Sequence, residues 1–146
     1  MYKKITLLAT AFVCLFSFMA SATFLENDPN YVEIGHDDTT QSYLSLGSIR
    51  SVRYDPPYYI IRGTVVTYDY ATNTVQGYDN NFFYNFKAQT VKTQTLSDIS
   101  YDAYGNAVSS ITLPNPEIKT SDRLSANGNA ANRAFRVCYD MNFYQS

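Results

Sequence analysis

The chain has 146 residues, of which 45% are hydrophobic and 16% aromatic, and a formal net charge of −2. That length holds one domain around a single core once an N-terminal export signal is set aside. A mildly acidic chain without a Lys/Arg run has neither the electrostatic footprint of a nucleic-acid binder nor a polybasic patch for anionic lipid.

Lys3 and Lys4 form a positive start, residues 5–19 an uncharged apolar stretch, and Ala20-Ser21-Ala22 a small-x-small cleavage pattern. Together they predict a cleavable signal peptide over residues 1–22, with Thr23 as the mature N-terminus. An apolar core of about 15 residues is short of the roughly 20 needed to cross a bilayer, so no membrane insertion is expected after cleavage. Val13 stands before Cys14 where a lipoprotein signal needs a small residue. Cleavage removes 22 of the 146 residues and leaves 124, with nine basic against 13 acidic side chains and a charge of −4.

Residues 23–30, with Asn27-Asp28-Pro29-Asn30, read as a flexible leader, and residues 31–146 as one domain. Strand-like alternation follows at Tyr31–Ile34, Ser42–Leu46 and Ile49–Tyr54, the last two divided by Gly47-Ser48. Asp55-Pro56-Pro57 is a turn into Tyr58–Tyr70, a long run with Gly63 as an expected bulge or bend. Thr74–Tyr78, Phe82–Lys87, Thr90–Tyr101 and Val108–Leu113 come next, joined by turns at Ala71-Thr72-Asn73 and Asp102–Asn106. Short connections favour antiparallel pairing, because parallel strands need long crossovers.

Pro114-Asn115-Pro116 closes the strand region, and the period then changes. Ala130, Ala134, Val137, Cys138 and Met141 fall on one helical face, flanked by Phe135 and Tyr139, with Ser125 or Asn127 as the cap. The expected class is mainly β (α+β): a single twisted antiparallel sheet with a C-terminal helix packed on one face.

Little in the chain carries chemistry. His36, the sole histidine, lies in Gly35-His36-Asp37-Asp38, where adjacent turn side chains rarely converge on a metal; a polar hairpin tip is the better reading. No nucleophile elbow and no Gly-rich phosphate loop are present, so no catalytic residue, metal site or cofactor is assigned. Tyrosine accounts for 14 residues, which fits cross-strand packing. Part of the aromatic set, Tyr58, Tyr59, Tyr68 and Tyr70, is also a candidate binding surface, since exposed tyrosine gives contact area at low entropy cost. Cys138 stands alone in the mature chain, as a buried free thiol, half of an intermolecular bridge or a cysteine that has lost its partner. A C-terminal segment with helical periodicity argues against an outer-membrane β-barrel.

Tyr31-Val32-Glu33-Ile34-Gly35, Ser42-Tyr43-Leu44-Ser45, Ser48-Ile49, Phe83-Tyr84-Asn85-Phe86, Tyr101-Asp102-Ala103-Tyr104-Gly105 and the helix cysteine Cys138 occur in an order that resembles, distantly, the bacterial surface-adhesin protein E family. The resemblance implies an exported protein with a curved antiparallel sheet and a C-terminal helix on its concave side. It also implies host matrix or plasma proteins as partners. The family's strand cysteine falls near Lys87 here, so the staple between helix and sheet is missing, and a bridge over about 50 residues is worth roughly 4 kcal/mol. The expectation is a non-enzymatic bacterial surface or periplasmic binding protein, adhesin-like in the first reading. The alternative is a periplasmic small-ligand carrier that uses the concave aromatic face of the sheet. A cavity between helix and sheet favours the carrier, and a filled interface counts against it.

Overall fold

Tyr, Thr, Val and Ile favour a pleated surface, and more than half of residues 23–146 is strand. The computed structural model describes residues 23–146; the expected signal at 1–22 lies outside them. In chain order the elements are α1 (Thr23–Asn27), β1 (Tyr31–His36), β2 (Thr40–Asp55), β3 (Tyr58–Asp69), β4 (Thr74–Asn85), β5 (Thr90–Tyr101), β6 (Ala107–Thr112), β7 (Ile118–Thr120) and α2 (Ala126–Tyr139). The sheet is antiparallel throughout, ordered β1-β2-β3-β4-β5-β6, and β7 also pairs with β5. The fold is thus the expected one: mainly β, one sheet, with a C-terminal helix on one face.

Three hairpin turns use the same device. Asp37, Asp69 and Asp102 each accept two backbone N–H groups on Oδ1, at 2.7–2.8, 2.9–3.2 and 2.9–3.0 Å respectively. The donated bonds hold the Asp37 and Asp102 carboxyls below the usual carboxylate range.

Several boundaries differ from expectation. Gly47-Ser48 does not end a strand: β2 runs through it as a bulge in which residues 46–49 face Gly63 alone. Side chains replace the lost ladder bonds there. Ser48 Oγ donates to Ser45 O (2.6 Å) and accepts from Thr64 N (2.8 Å), and Asn30 Oδ1 accepts from Gly47 N (2.7 Å). The bulge expected at Gly63 therefore lies across the ladder from it. The runs Thr74–Tyr78 and Phe82–Lys87 are one strand, since Asp79 in the gap pairs with Arg62 through two Nε contacts of 3.1–3.2 Å. β7 has no periodicity long enough to read; it continues the β5 edge past the prolines that end β6.

The leader expected to be flexible is α1, and its Leu25 is 1% exposed. Leu25 covers the face of the sheet away from α2, where it packs with Tyr43, Val66, Tyr68 and Val75. Phe24 stands edge-on to Tyr31 with ring centroids 5.7 Å apart. A lone strand face of apolar side chains needs a cover, and the residues before β1 supply it.

On the opposite face, Leu44, Ile61, Val65, Phe82, Tyr84 and Val91 meet Ala130, Ala131, Ala134 and Phe135 of α2. Ser125 caps the helix, accepting from Gly128 N at 3.1 Å. The inward stripe is turned from the expected one. Val137 is 50% and Met141 46% exposed, whereas Phe135 is 1% exposed. Phe135 sets the rotation because it enters a cluster of Tyr59, Tyr84, Phe143 and Tyr139, at centroid distances of 4.9–5.4 Å. Asn132 Oδ1 accepts from Phe143 N (2.8 Å) and Tyr144 N (3.3 Å), which folds the tail back so that Phe143 is buried.

Two outcomes follow from this packing. A Cβ on Gly128 would stand 2.1 Å from Asp122 O and 2.8 Å from Arg123 O. Gly128→Ala should therefore destabilise by about 1–3 kcal/mol in thermal unfolding, although propensity alone favours Ala by about 1 kcal/mol; a raised Tm would refute the close approach. Burial, and then the charges of Glu26 and Glu33, push the Tyr43 phenol up to about 12. A raised pKa favours the neutral phenol in the fold, so its contribution is complete below about pH 10, the unfolded value. It is lost between about pH 10 and 12. Stability measured against pH should fall less steeply across that window in Tyr43→Phe than in the wild type.

Candidate functional site: a cavity at the start of the C-terminal helix

The four candidate tyrosines do not make one surface. Tyr58 and Tyr59 are neighbours on opposite faces near the Pro56–Pro57 turn; Tyr58 is 52% exposed, and Tyr59 lies against Phe135. Tyr68 lies at the other end of β3 and Tyr70 just past it, roughly 30–40 Å away at the usual strand rise. Tyr68 is buried in the α1 core and donates to Asn73 Oδ1 (2.6 Å). Tyr70 stands edge-on to it and donates to Gln41 Oε1 (2.7 Å). Alternation adds a second division, since residues one apart point to opposite faces and Tyr59 is turned away from the side of Tyr58 and Tyr68. The aromatic part of the sheet face under α2 is also filled, by Phe135 and Phe143 on Tyr84 and Phe86. This filled interface counts against a carrier pocket on the aromatic face.

Open space is found between the sheet and the other end of the helix. α2 rests mainly on β1, β2 and β3. Beside its first turn is a cavity of about 410 Å³. Ser42, Thr67, Tyr78, Asn80 and Thr95 form the sheet side with Val65, and Ser125, Ala126 and Asn127 the helix side. Its position follows from two bulges. Gly63, Asn80 and Thr95 pair in one row across β3, β4 and β5. The β2 bulge faces this row at Gly63, and on β5 Leu96 is an extra residue between the partners of Asp79 and Asn80. Bulges bend a strand and re-aim its side chains, and they gather next to functional sites.

Asn80 is the unusual member. It is 1% exposed in the middle of the sheet, on the same side of β4 as Phe82 and Tyr84. Its Oδ1 accepts from Thr95 Oγ1 at 2.8 Å, and its Nδ2 has no partner. Exchanging the amide oxygen and nitrogen does not remove the deficit, since one amide atom is then still unpaired. Such a group costs about 1–3 kcal/mol of desolvation. Close by, Ser42 Oγ and Thr67 Oγ1 are 3.2 Å apart and share one hydrogen bond. The N–H groups of Ala126 and Asn127 occupy the first two helical positions, which have no intrahelical acceptor.

No lining residue of this cavity is charged. Burial, and then the charge of Asp98, its partner across the ladder, raise the Tyr78 phenol. An ion held there without a counter-charge loses part of its hydration, and a helix N-terminus returns about 0.3–1 kcal/mol to an anion. The arrangement thus suits hydrogen bonding to an uncharged group. A second cavity of about 460 Å³ shares Thr95, Ser125 and Asn127 with the first and adds Lys119 and Glu117.

The remaining candidates stay apart from the cavity. His36 ends β1 at the hairpin tip, with Nδ1 3.0 Å from Glu33 Oε1. Among the described residues no three His, Cys, Asp or Glu side chains converge as metal ligands. Cys138 is half-buried against the Phe135 core, and burial raises its thiol pKa; Lys87 is exposed in the turn after β4. Among the described residues no helix is long and apolar enough to cross a membrane. No protein-family model matches the chain, and neither a curated protein nor a solved structure does.

The unequal burial of the tyrosines has a measurable consequence. Tyr68→Ala should cost about 3 kcal/mol in denaturant unfolding, while Tyr58→Ala should cost less than about 0.5 kcal/mol. Equal losses would contradict the division between core and surface.

Proposed function

We propose that this chain is an exported, non-enzymatic binding protein of the bacterial envelope, and that it holds a small polar molecule in the cavity between the first turn of α2 and the sheet. The unpaired amide of Asn80, buried in that cavity's wall, carries the reading. A protein gains nothing in stability from a buried group of this kind, and a leucine of similar size there would be neutral or better. Sites kept for a ligand are where such a cost persists. Export rests on the expected signal at residues 1–22. The protein E resemblance, which implies a sheet with a C-terminal helix, supports the reading.

Adhesion to host matrix or plasma proteins is the second reading, and the tip of the β2–β3 hairpin favours it. Val52, Tyr54 and Tyr58 are 56%, 68% and 52% exposed there. Side chains of this type form the centres of protein interfaces.

Thermal unfolding of the mature chain with and without small sugars, organic acids and amino acids separates the two. A ligand at ten times its Kd adds about 1.4 kcal/mol, a shift of several degrees in Tm. The cavity reading expects such a shift for one class in the wild type and none in Asn80→Leu, whose unliganded stability should be equal or up to about 1 kcal/mol higher. Asn80→Leu that unfolds, together with no shift for any class, would overturn it and leave the hairpin tip.

A further inference from the structure

We infer that the ligand of this cavity is a neutral polyhydroxylated molecule of about one sugar ring; this rests on the small-ligand reading above. The nine lining residues include no charge, and a hydroxyl or amide is present on seven of their side chains. The polar groups are of both kinds. Asn80 Nδ2 and the N–H groups of Ala126 and Asn127 can only donate. Thr95 Oγ1, which already gives its proton to Asn80 Oδ1, can only accept further bonds. The Ser42–Thr67 hydroxyl pair uses one proton between the two oxygens and keeps the other for a ligand.

A ligand that answers this set must itself both donate and accept at several closely spaced points, which is what a ring of hydroxyl groups does. A carboxylate accepts only, so it leaves Thr95 Oγ1 without a donor and places its charge near Asp98, which pairs with Tyr78 across the ladder. An ammonium donates only and would face the helix N-terminus, where donors and the positive end of the macrodipole oppose it. An apolar molecule leaves Asn80 Nδ2 as it stands, buried and unpaired. The Tyr78 ring and Val65 supply apolar surface for the C–H side of a sugar ring. The volume, about 410 Å³, is at the small end of ligand pockets, which run from about 300 to 1,000 Å³.

The test is an NMR titration of the isotope-labelled mature chain with glucose and N-acetylglucosamine, each to about 20 mM, a range that detects affinities near 1 mM. Glucuronate and cyclohexanol are titrated in parallel as the charged and the apolar counterpart. The expected result is a saturable shift of the Ala126 and Asn127 amides and of the Asn80 side-chain amide with at least one neutral sugar. Asn80→Leu should weaken that binding at least tenfold. Thr95→Val, which keeps the volume and deletes one acceptor, should weaken it by a smaller factor and serves if Asn80→Leu does not fold. Saturation of the same amides at lower concentration by glucuronate or cyclohexanol would overturn the neutral polyol and leave a small-ligand site standing. Shifts confined to other parts of the chain, or none with any of the four compounds, would sink both.

Discussion

Phe135 is where the helix, the sheet and the C-terminal tail meet, and the arrangement of the rest depends on it. Its ring is 1% exposed and touches Tyr59 of β3, Tyr84 of β4, Phe143 of the tail and Tyr139 one turn on. Aromatic pairs at such distances add about 0.5–1.5 kcal/mol each beyond the area they bury. No disulfide ties α2 to the sheet among the described residues, so this cluster fixes both the rotation of the helix and its place along the strands. Tyr84 reinforces it by donating to Ala131 O at 2.6 Å from a fully enclosed position. Where a covalent staple would constrain the unfolded chain, aromatic packing stabilises the folded one.

Because the anchor is near the C-terminal end of α2, the two halves of the helix do different things. The C-terminal half fills the space above the sheet with rings. The N-terminal half carries only small side chains, Ala126, Asn127, Gly128, Ala130 and Ala131. Gly128 lets the preceding loop approach its backbone, and Ala126 rests near Gly35 of β1. The first turn is thereby held at the β1 side of the sheet, with β4 and β5 uncovered opposite it. The cavity is the space that remains. Its walls are largely polar because the strands there present Ser, Thr and Asn beside Val65 and Tyr78.

How much of this could be read from the chain follows from how local each signal is. β5 has the bounds that alternation indicates, Thr90–Tyr101, and Ser125 is one of the two caps named. Alternation and capping depend on neighbours in sequence. The joins within β2 and β4 were not legible, because Gly47-Ser48 and Asp79–Asn81 look like turns until Asn30, Thr64 and Arg62 supply partners from elsewhere. α1 was missed for a related reason: five residues are too few for a period, and what makes Leu25 part of the core is a sheet face built from β2, β3 and β4. The cavity was the least visible feature. Its polar residues are common types drawn from five elements, and Asn80 reads as a turn residue in Asp79-Asn80-Asn81.

Asn80 also shows why a sheet can carry a polar side chain at its centre without losing its register. Across the ladder Gly63 has no side chain of its own, so Leu44, Ile49 and Phe82 close over its position, and at Thr95 the partner is itself a hydroxyl. Apolar packing resumes one pleat away, at Phe82, which is fully buried. The register is therefore held by the Ile61–Phe82 and Val65–Tyr78 rows on either side of it, and by Arg62 gripping Asp79 from the opposite face. One row of the sheet is free of structural duty. A leucine in it would extend the core by a layer and close the cavity over; the asparagine keeps a hydrogen-bonding wall in reach of the first turn of α2.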